Sequence, residues 1–202
     1  MNWSMRRGGF SLAASAVLAV AAAAQKSETA QPIQLPPTAP IFSPADLAAK
    51  VPAAKTDDVK SLDAILRAAY DVISGPAGGR DWNRFRSLFL PQARLTEVGK
   101  GADGATFVIS WSVEEFIRDA RQVFSQEPFY ENAIVNQPES YGNMTQVLSS
   151  YESRHSPGQN PFERGVNSFQ VLNDGKRWWV VSIFWDSERP DNPLPEKLAG
   201  KK

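Results

Sequence analysis

The sequence has no cysteine and a single histidine among its 202 residues. Without cysteine there is no disulfide framework, no thiolate metal site, no cysteine nucleophile and no lipid anchor on a thiol. One histidine, His155, excludes a multi-histidine metal site and leaves one imidazole for acid–base work. Neither sign of charge is in excess, since 22 Lys and Arg balance 22 Asp and Glu. A phosphate-neutralising basic face is therefore not expected, and nucleic acid is not an expected partner. The chain lacks a phosphate loop, a dinucleotide fingerprint, a Gly-x-Ser-x-Gly elbow and a His-Glu-x-x-His word. Asp103, Asp174 and Asp191 are scattered, so no calcium loop is evident. Neither a metal nor a cofactor is expected. What the chain does have is apolar and aromatic surface, 42% and 10% of residues with six Trp, enough to bury the core of one domain.

Its one long hydrophobic run is at the start. Arg6 and Arg7 precede an uncharged stretch of 15 residues, Phe10 to Ala24, rich in Ala, Val and Leu and ending in Ala22-Ala23-Ala24. That is the layout of a secretory signal peptide over residues 1–24. The run is short of the roughly 20 residues a membrane span needs. Arg6-Arg7-Gly8-Gly9-Phe10 departs from a twin-arginine signal by one place, which favours the general secretory route. The expectation is export to a periplasm or the exterior, with no stable membrane insertion after cleavage. The mature chain would hold 20 bases and 22 acids, a formal charge of −2.

Residues 25–56 read as a Pro/Ala-rich tether, with Pro32, Pro36, Pro37, Pro40, Pro44 and Pro52 favouring extended, poorly paired backbone. Residues 190–202 mirror it as a Pro-rich tail. The domain is expected over residues 57–189. Leu62, Ile65, Leu66, Ala69 and Ile73 form one helical stripe, with Thr56 or Asp57 as cap. A second helix runs from Asp81 through Trp82, Phe85, Leu88 and Phe89 and closes at Pro91. The third opens on the capping box Ser112/Glu115, with Glu114 and Arg118 as an outward ion pair.

Short β-branched segments follow the pattern of strands at 94–98, 106–110, 129–136, 145–154, 164–172 and 177–186, with Asn173-Asp174-Gly175 as a hairpin turn. Helices first and hairpin-linked strands last imply an α+β architecture.

Particular words carry a family resemblance. Asp81-Trp82-Asn83-Arg84-Phe85-Arg86-Ser87-Leu88-Phe89 and Gln92-Ala93-Arg94-Leu95 mark the second helix and first strand. Arg164-Gly165-Val166-Asn167-Ser168-Phe169-Gln170 and Arg177-Trp178-Trp179-Val180-Val181-Ser182-Ile183 mark a final hairpin. In this order the chain resembles the nuclear transport factor 2-like superfamily, in its SnoaL-like branch. The resemblance implies a curved antiparallel sheet wrapped around three helices, a cone-shaped, cystatin-like roll with an internal cavity. The superfamily holds isomerases, dehydratases and cyclases as well as transport and assembly proteins, so function must be argued from the site.

In the steroid-isomerase branch a carboxylate some residues after a Leu-Phe word acts as base, and by that resemblance Leu88-Phe89 points to Glu97. A first-helix tyrosine is the donor there, which points to Tyr70. His155 titrates near neutral pH and is the other candidate base, with Tyr151 near it in sequence and Asp186 or Glu131 as possible partners. Trp111, Phe116, Tyr130, Tyr151 and Trp185 are candidates for a cavity lining, and Arg164 and Asn167 are polar residues on a strand bound for burial that need partners. Strict alternation along the last strand places Trp179, Val181, Ile183 and Trp185 on one face and Trp178, Val180, Ser182, Phe184 and Asp186 on the other. Two apolar faces imply a homodimer through the sheet. Two functions follow: a non-catalytic exported domain binding a small apolar molecule or a partner protein, or a cofactor-independent isomerase, dehydratase or cyclase with Glu97 or His155 as base. Convergence of Glu97 and a tyrosine hydroxyl on one cavity would favour the second.

Overall fold

A computed structural model of the chain describes residues 41–200. The expected signal peptide and residues 25–40 of the expected tether lie outside the described residues. Three helices occupy the three stretches of helical apolar spacing: α3 (Leu62–Ile73), α4 (Trp82–Leu88) and α5 (Val113–Phe124), numbered after the short α1 (Pro44–Ala48) and α2 (Thr56–Val59). No helix among the described residues is long and apolar enough to cross a membrane.

The caps explain where these helices begin. Ser61, not Thr56 or Asp57, caps α3 by accepting the Ala64 N–H at 3.1 Å. Thr56 and Asp57 belong instead to the separate α2. Asp81 accepts the Arg84 N–H at 2.9 Å to start α4, and Ser112 and Glu115 form the expected box on α5. The helix α4 ends at Leu88, so Pro91 falls inside the following strand, where the ladder register shifts. Such irregularities are where a strand tolerates proline. The expected Glu114–Arg118 pair does not form. Glu114 accepts two bonds from the Arg86 guanidinium, at 2.6 and 2.8 Å, while Arg118 turns to Asp119. A bidentate fork outcompetes a single i, i+4 contact. Pro44 sits in the first turn of α1, where its missing N–H costs nothing, and Leu47 there is buried. That part of the expected extended segment is therefore helical.

The strands are β1 (Phe89–Lys100), β2 (Thr106–Ser112), β3 (Tyr130–Tyr141), β4 (Met144–Arg154), β5 (Glu163–Asn173) and β6 (Trp178–Ser187). They form one six-stranded sheet in the order β2-β1-β6-β5-β4-β3. Every neighbouring pair is antiparallel except β1 with β6, which is parallel. The β3–β6 meander leaves the edge of β6 free, and the β1–β2 hairpin docks on it. The curved sheet packs its inner face against α3, α4 and α5, giving the expected α+β roll.

The outer face departs from the alternation expected for β6. Gln170 pairs with Ser182 but the next residue, Val171, pairs with Val180, so Val181 is an extra residue in β6. This bulge shifts the phase of the strand. Trp178 and Val180 therefore join Ile183 and Trp185 toward the helices. Trp179 turns to the outer face, fully buried with the Arg177 guanidinium 3.7 Å from its ring centre and its indole N–H on Asp174 at 2.8 Å. Around the exposed Val108 and Phe184, the pairing register aligns Thr96, Ser110, Ser168, Gln170 and Ser182. That face is less apolar than strict alternation implied.

Candidate active site

The inner face of the sheet and the three helices enclose a cavity of about 230 Å³. Its apolar wall includes Phe85 of α4, Phe116 and Phe124 of α5, Phe89 and Leu95 of β1, and Phe169 of β5. The rings support one another: Phe85 packs 4.6 Å from Phe89 and 5.4 Å from Phe116, and Phe124 packs 5.0 Å from Phe129. Tyr70 meets Phe169 edge-on at 5.9 Å. Such contacts fix ring positions beyond simple burial.

Three carboxylates open into this aromatic wall: Glu97 from β1, Glu131 from β3 and Glu163 from β5. Each lies on the inward phase of its strand. Leu95 and Glu97 alternate, as do Phe129, Glu131 and Ala133, and Glu163, Gly165, Asn167 and Phe169. The start of β3 is clamped to the end of α3. Gly75 and Phe129 exchange backbone bonds of 2.7 and 3.0 Å, and the Glu131 N–H donates to Ser74 Oγ at 2.9 Å. Arg80 holds the α3 terminus by donating to the carbonyls of Ile73, Gly75 and Pro76 at 2.8 to 2.9 Å. A cation on the last carbonyls satisfies acceptors that the helix cannot.

The carboxyl of Glu131 is pushed up to about 7, because burial penalises its charged form and Glu163 adds repulsion; bonds from Ser153 and Asn167 oppose the shift. Ser153 Oγ donates to Glu131 Oε2 at 3.0 Å. The same two effects, burial and then the charge of Glu163 with that of Asp186, raise Glu97 above the usual carboxylate range. Glu163 accepts from the Tyr151 hydroxyl at 3.1 Å and from the Ser187 hydroxyl. Burial and the neighbouring Glu163 push the Tyr151 phenol well above its ordinary range, so it stays protonated and able to donate. Tyr70 is likewise raised by burial, and its hydroxyl is engaged: Ser149 Oγ lies 2.6 Å away and Asn167 Nδ2 donates to it at 3.2 Å.

Of the residues expected from sequence, Glu97, Tyr70, Tyr151, Phe116, Asn167 and Trp185 line the cavity together. Trp111 lies behind it, stacked on Trp185 at 5.9 Å with its indole N–H on Asp119. Three others lie elsewhere. His155 is exposed, stacked on Phe162 at 4.3 Å, with Nδ1 3.4 Å from the Pro128 carbonyl; it pairs with neither Glu131 nor Asp186. Arg164 points to the opposite face from Asn167 and meets Glu188 at 3.4 Å, because three residues along a strand reverse the side. Tyr130 lines a larger, shallower groove of about 940 Å³ between α3, β3 and the 157–161 loop. Glu131 and Glu163 are the site residues that sequence reasoning did not select as site groups. Their signal was present: each shares a strand face with apolar residues bound for the core.

No family model and no curated protein matches the sequence. Solved structures do match. A nuclear transport factor 2-like protein of unknown function from Silicibacter pomeroyi is 17% identical, covering 64% of this chain and 94% of that one with a TM-score of 0.44. A candidate dehydratase of the same family from Streptomyces avermitilis is 15% identical, covering 65% and 96% with a TM-score of 0.48. A protein with a cystatin-like fold from Nostoc punctiforme is 13% identical, covering 57% and 81% with a TM-score of 0.42. The chain resembles nuclear transport factor 2-like proteins. At these identities the likeness is one of fold alone.

Proposed function

We propose that the cavity is the active site of a cofactor-independent isomerase, dehydratase or cyclase that moves a proton on a small, largely apolar substrate. The observation that carries this reading is Glu131, a carboxyl that lines a cavity with six phenylalanines and is pushed up to about 7. A base whose pKa lies near the working pH combines an available charged form with a useful driving force. Glu131 would take a proton from a carbon beside a carbonyl, and the electron pair would move onto the carbonyl oxygen. The Tyr151 hydroxyl, turned away from Glu163, would donate a hydrogen bond to that oxygen. Return of the proton to another carbon completes an isomerisation; loss of a β-hydroxyl as water completes a dehydration. The cavity is smaller than the roughly 300–1,000 Å³ of drug-sized sites, which limits the substrate to about one ring.

The layout of residues 1–24 supports an exported address for this domain. The exposed Val108 and Phe184 on the outer face support a homodimer through the sheet. The test of the catalytic reading is solvent exchange. The protein is incubated in D₂O with a panel of one-ring ketones, some bearing an amine, and loss of the proton signal beside the carbonyl is followed by NMR. Exchange that drops at least about 100-fold in Glu131→Gln supports the role. No exchange above buffer with any member overturns it.

A further inference from the structure

The cavity has a charge without a counter-charge. Six phenylalanines and Trp185 line it, and so do Glu97, Glu131 and Glu163, but no Lys, Arg or His does. Several other acids among the described residues are paired. Asp58 and Asp71 share Arg84, Glu114 has Arg86, Glu152 has Arg154, and Asp186 has Arg189. Among the described residues, none of the three cavity acids forms an ion pair; their partners are the hydroxyls of Ser153, Tyr151 and Ser187 and the amide of Asn167. Nor does any group of three acids, among the described residues, gather closely enough to hold a metal ion. The acids are instead spread around a wall of rings.

Aromatic faces carry negative electrostatic potential and attract organic cations, more strongly when water is excluded. Carboxylates beside the rings add to that potential. An anionic ligand would add to the repulsion already felt by Glu97 and Glu131, and a neutral one would leave that repulsion unrelieved. An ammonium group would relieve it at its source and place its apolar body on the rings. We propose that the ligand of this cavity is a small organic cation, an amine carrying one apolar ring or group. The proposal rests on reading the cavity as a ligand site and names the chemistry of what enters it.

Size admits such a molecule, since an apolar cavity of about 150 Å³ takes up benzene. The test is calorimetric titration of the full chain with three compounds of nearly equal shape: benzylamine, benzyl alcohol and benzoate. Benzylamine is expected to bind at least tenfold more tightly than benzyl alcohol, with benzoate weakest. Glu163→Gln, checked for folding by circular dichroism, is expected to weaken benzylamine at least tenfold and to leave benzyl alcohol within twofold. Benzyl alcohol binding as tightly as benzylamine overturns the cation preference while leaving the cavity reading in place. No binding of any of the three overturns both. Benzylamine affinity unchanged in Glu97→Gln, Glu131→Gln and Glu163→Gln alike also overturns the proposal, because the cation would then be bound elsewhere.

Discussion

Gly165 lies directly beneath the Tyr151 ring: a Cβ at that position would stand 2.6 Å from the Tyr151 hydroxyl oxygen and 2.5 Å from the Asp186 carbonyl oxygen. The two residues are opposite one another in the β4–β5 ladder. The missing side chain lets the phenol lie flat across the strand and reach Glu163 and Ser187. The tyrosine could yield to a methyl group, but the backbone carbonyl cannot. Gly165→Ala is therefore expected to destabilise the fold by about 1–3 kcal/mol, the ordinary range for overpacking. Urea unfolding of the variant measures this. A midpoint equal to that of the parent would show that the close approach is not real.

Glu131 couples stability to pH. Its carboxyl titrates near 7 in the folded chain against an ordinary value of 4.5, so the folded state binds more protons than the unfolded state between those values. Stability contributed by this group is complete below about pH 4.5, declines as pH rises toward 7, and is lost above it. Glu131→Gln removes the ionisation while keeping the shape. It is expected to raise stability at pH 8 by up to about 3 kcal/mol and to change little at pH 5. Thermal unfolding of both proteins across that range tests the sign: greater stabilisation at pH 5 than at pH 8 would contradict the burial of a neutral acid.

Much of this site was legible from residue order, and what was missed has physical causes. The capping residues Asp81, Ser112 and Glu115 and the Asp174-Gly175 turn act locally, so sequence alone reveals them. Glu97, Tyr70, Tyr151 and Asn167 fall in one cavity because each lies on an inward phase of its element. Glu163 is hidden at the strand boundary: β5 starts one residue before Arg164, and that residue is the one facing inward. The bulge at Val181 depends on how β5 and β6 pair across space, which no local pattern records. His155 drew attention by its chemistry, yet its position is set by the loop that brings Phe162 against it. The parallel β1–β6 pairing joins segments far apart in the chain, beyond what hairpin signals reveal.

A buried triad orders the inner end of α3. Asn167 Nδ2 donates to the Tyr70 oxygen at 3.2 Å, and the Tyr70 and Ser149 hydroxyls share a hydrogen bond of 2.6 Å. All three residues are buried. Tyr70→Phe leaves the Ser149 hydroxyl and the Asn167 amide N–H short of one partner each, and such deletions cost roughly 1–3 kcal/mol per stranded group. Ser149→Ala strands only the phenol. The double variant is expected to lose less than the sum of the two singles, since the shared bond is counted once. Additive losses in urea unfolding would mean that the 2.6 Å contact carries no coupling.

Arg84 joins three helices through one guanidinium. Its Nε and Nη2 donate to the two carboxylate oxygens of Asp58 at 2.7 and 2.8 Å, and Nη1 reaches Asp71 on α3. Asp58 is buried, and the Arg84 bond holds its carboxyl below the usual range. Removing the arginine leaves a buried carboxylate without a counter-ion, whereas lysine keeps the charge and loses the two-pronged geometry. Arg84→Ala is expected to cost about 3 kcal/mol and Arg84→Lys a smaller amount. Because the Asp58 pKa is depressed in the folded state, the parent's advantage over Arg84→Ala is present above the unfolded value of that carboxyl and lost as pH falls through the folded one. Unfolding curves for parent and variant that stay equally far apart at pH 7 and in strong acid would show that the arginine stabilises by packing alone.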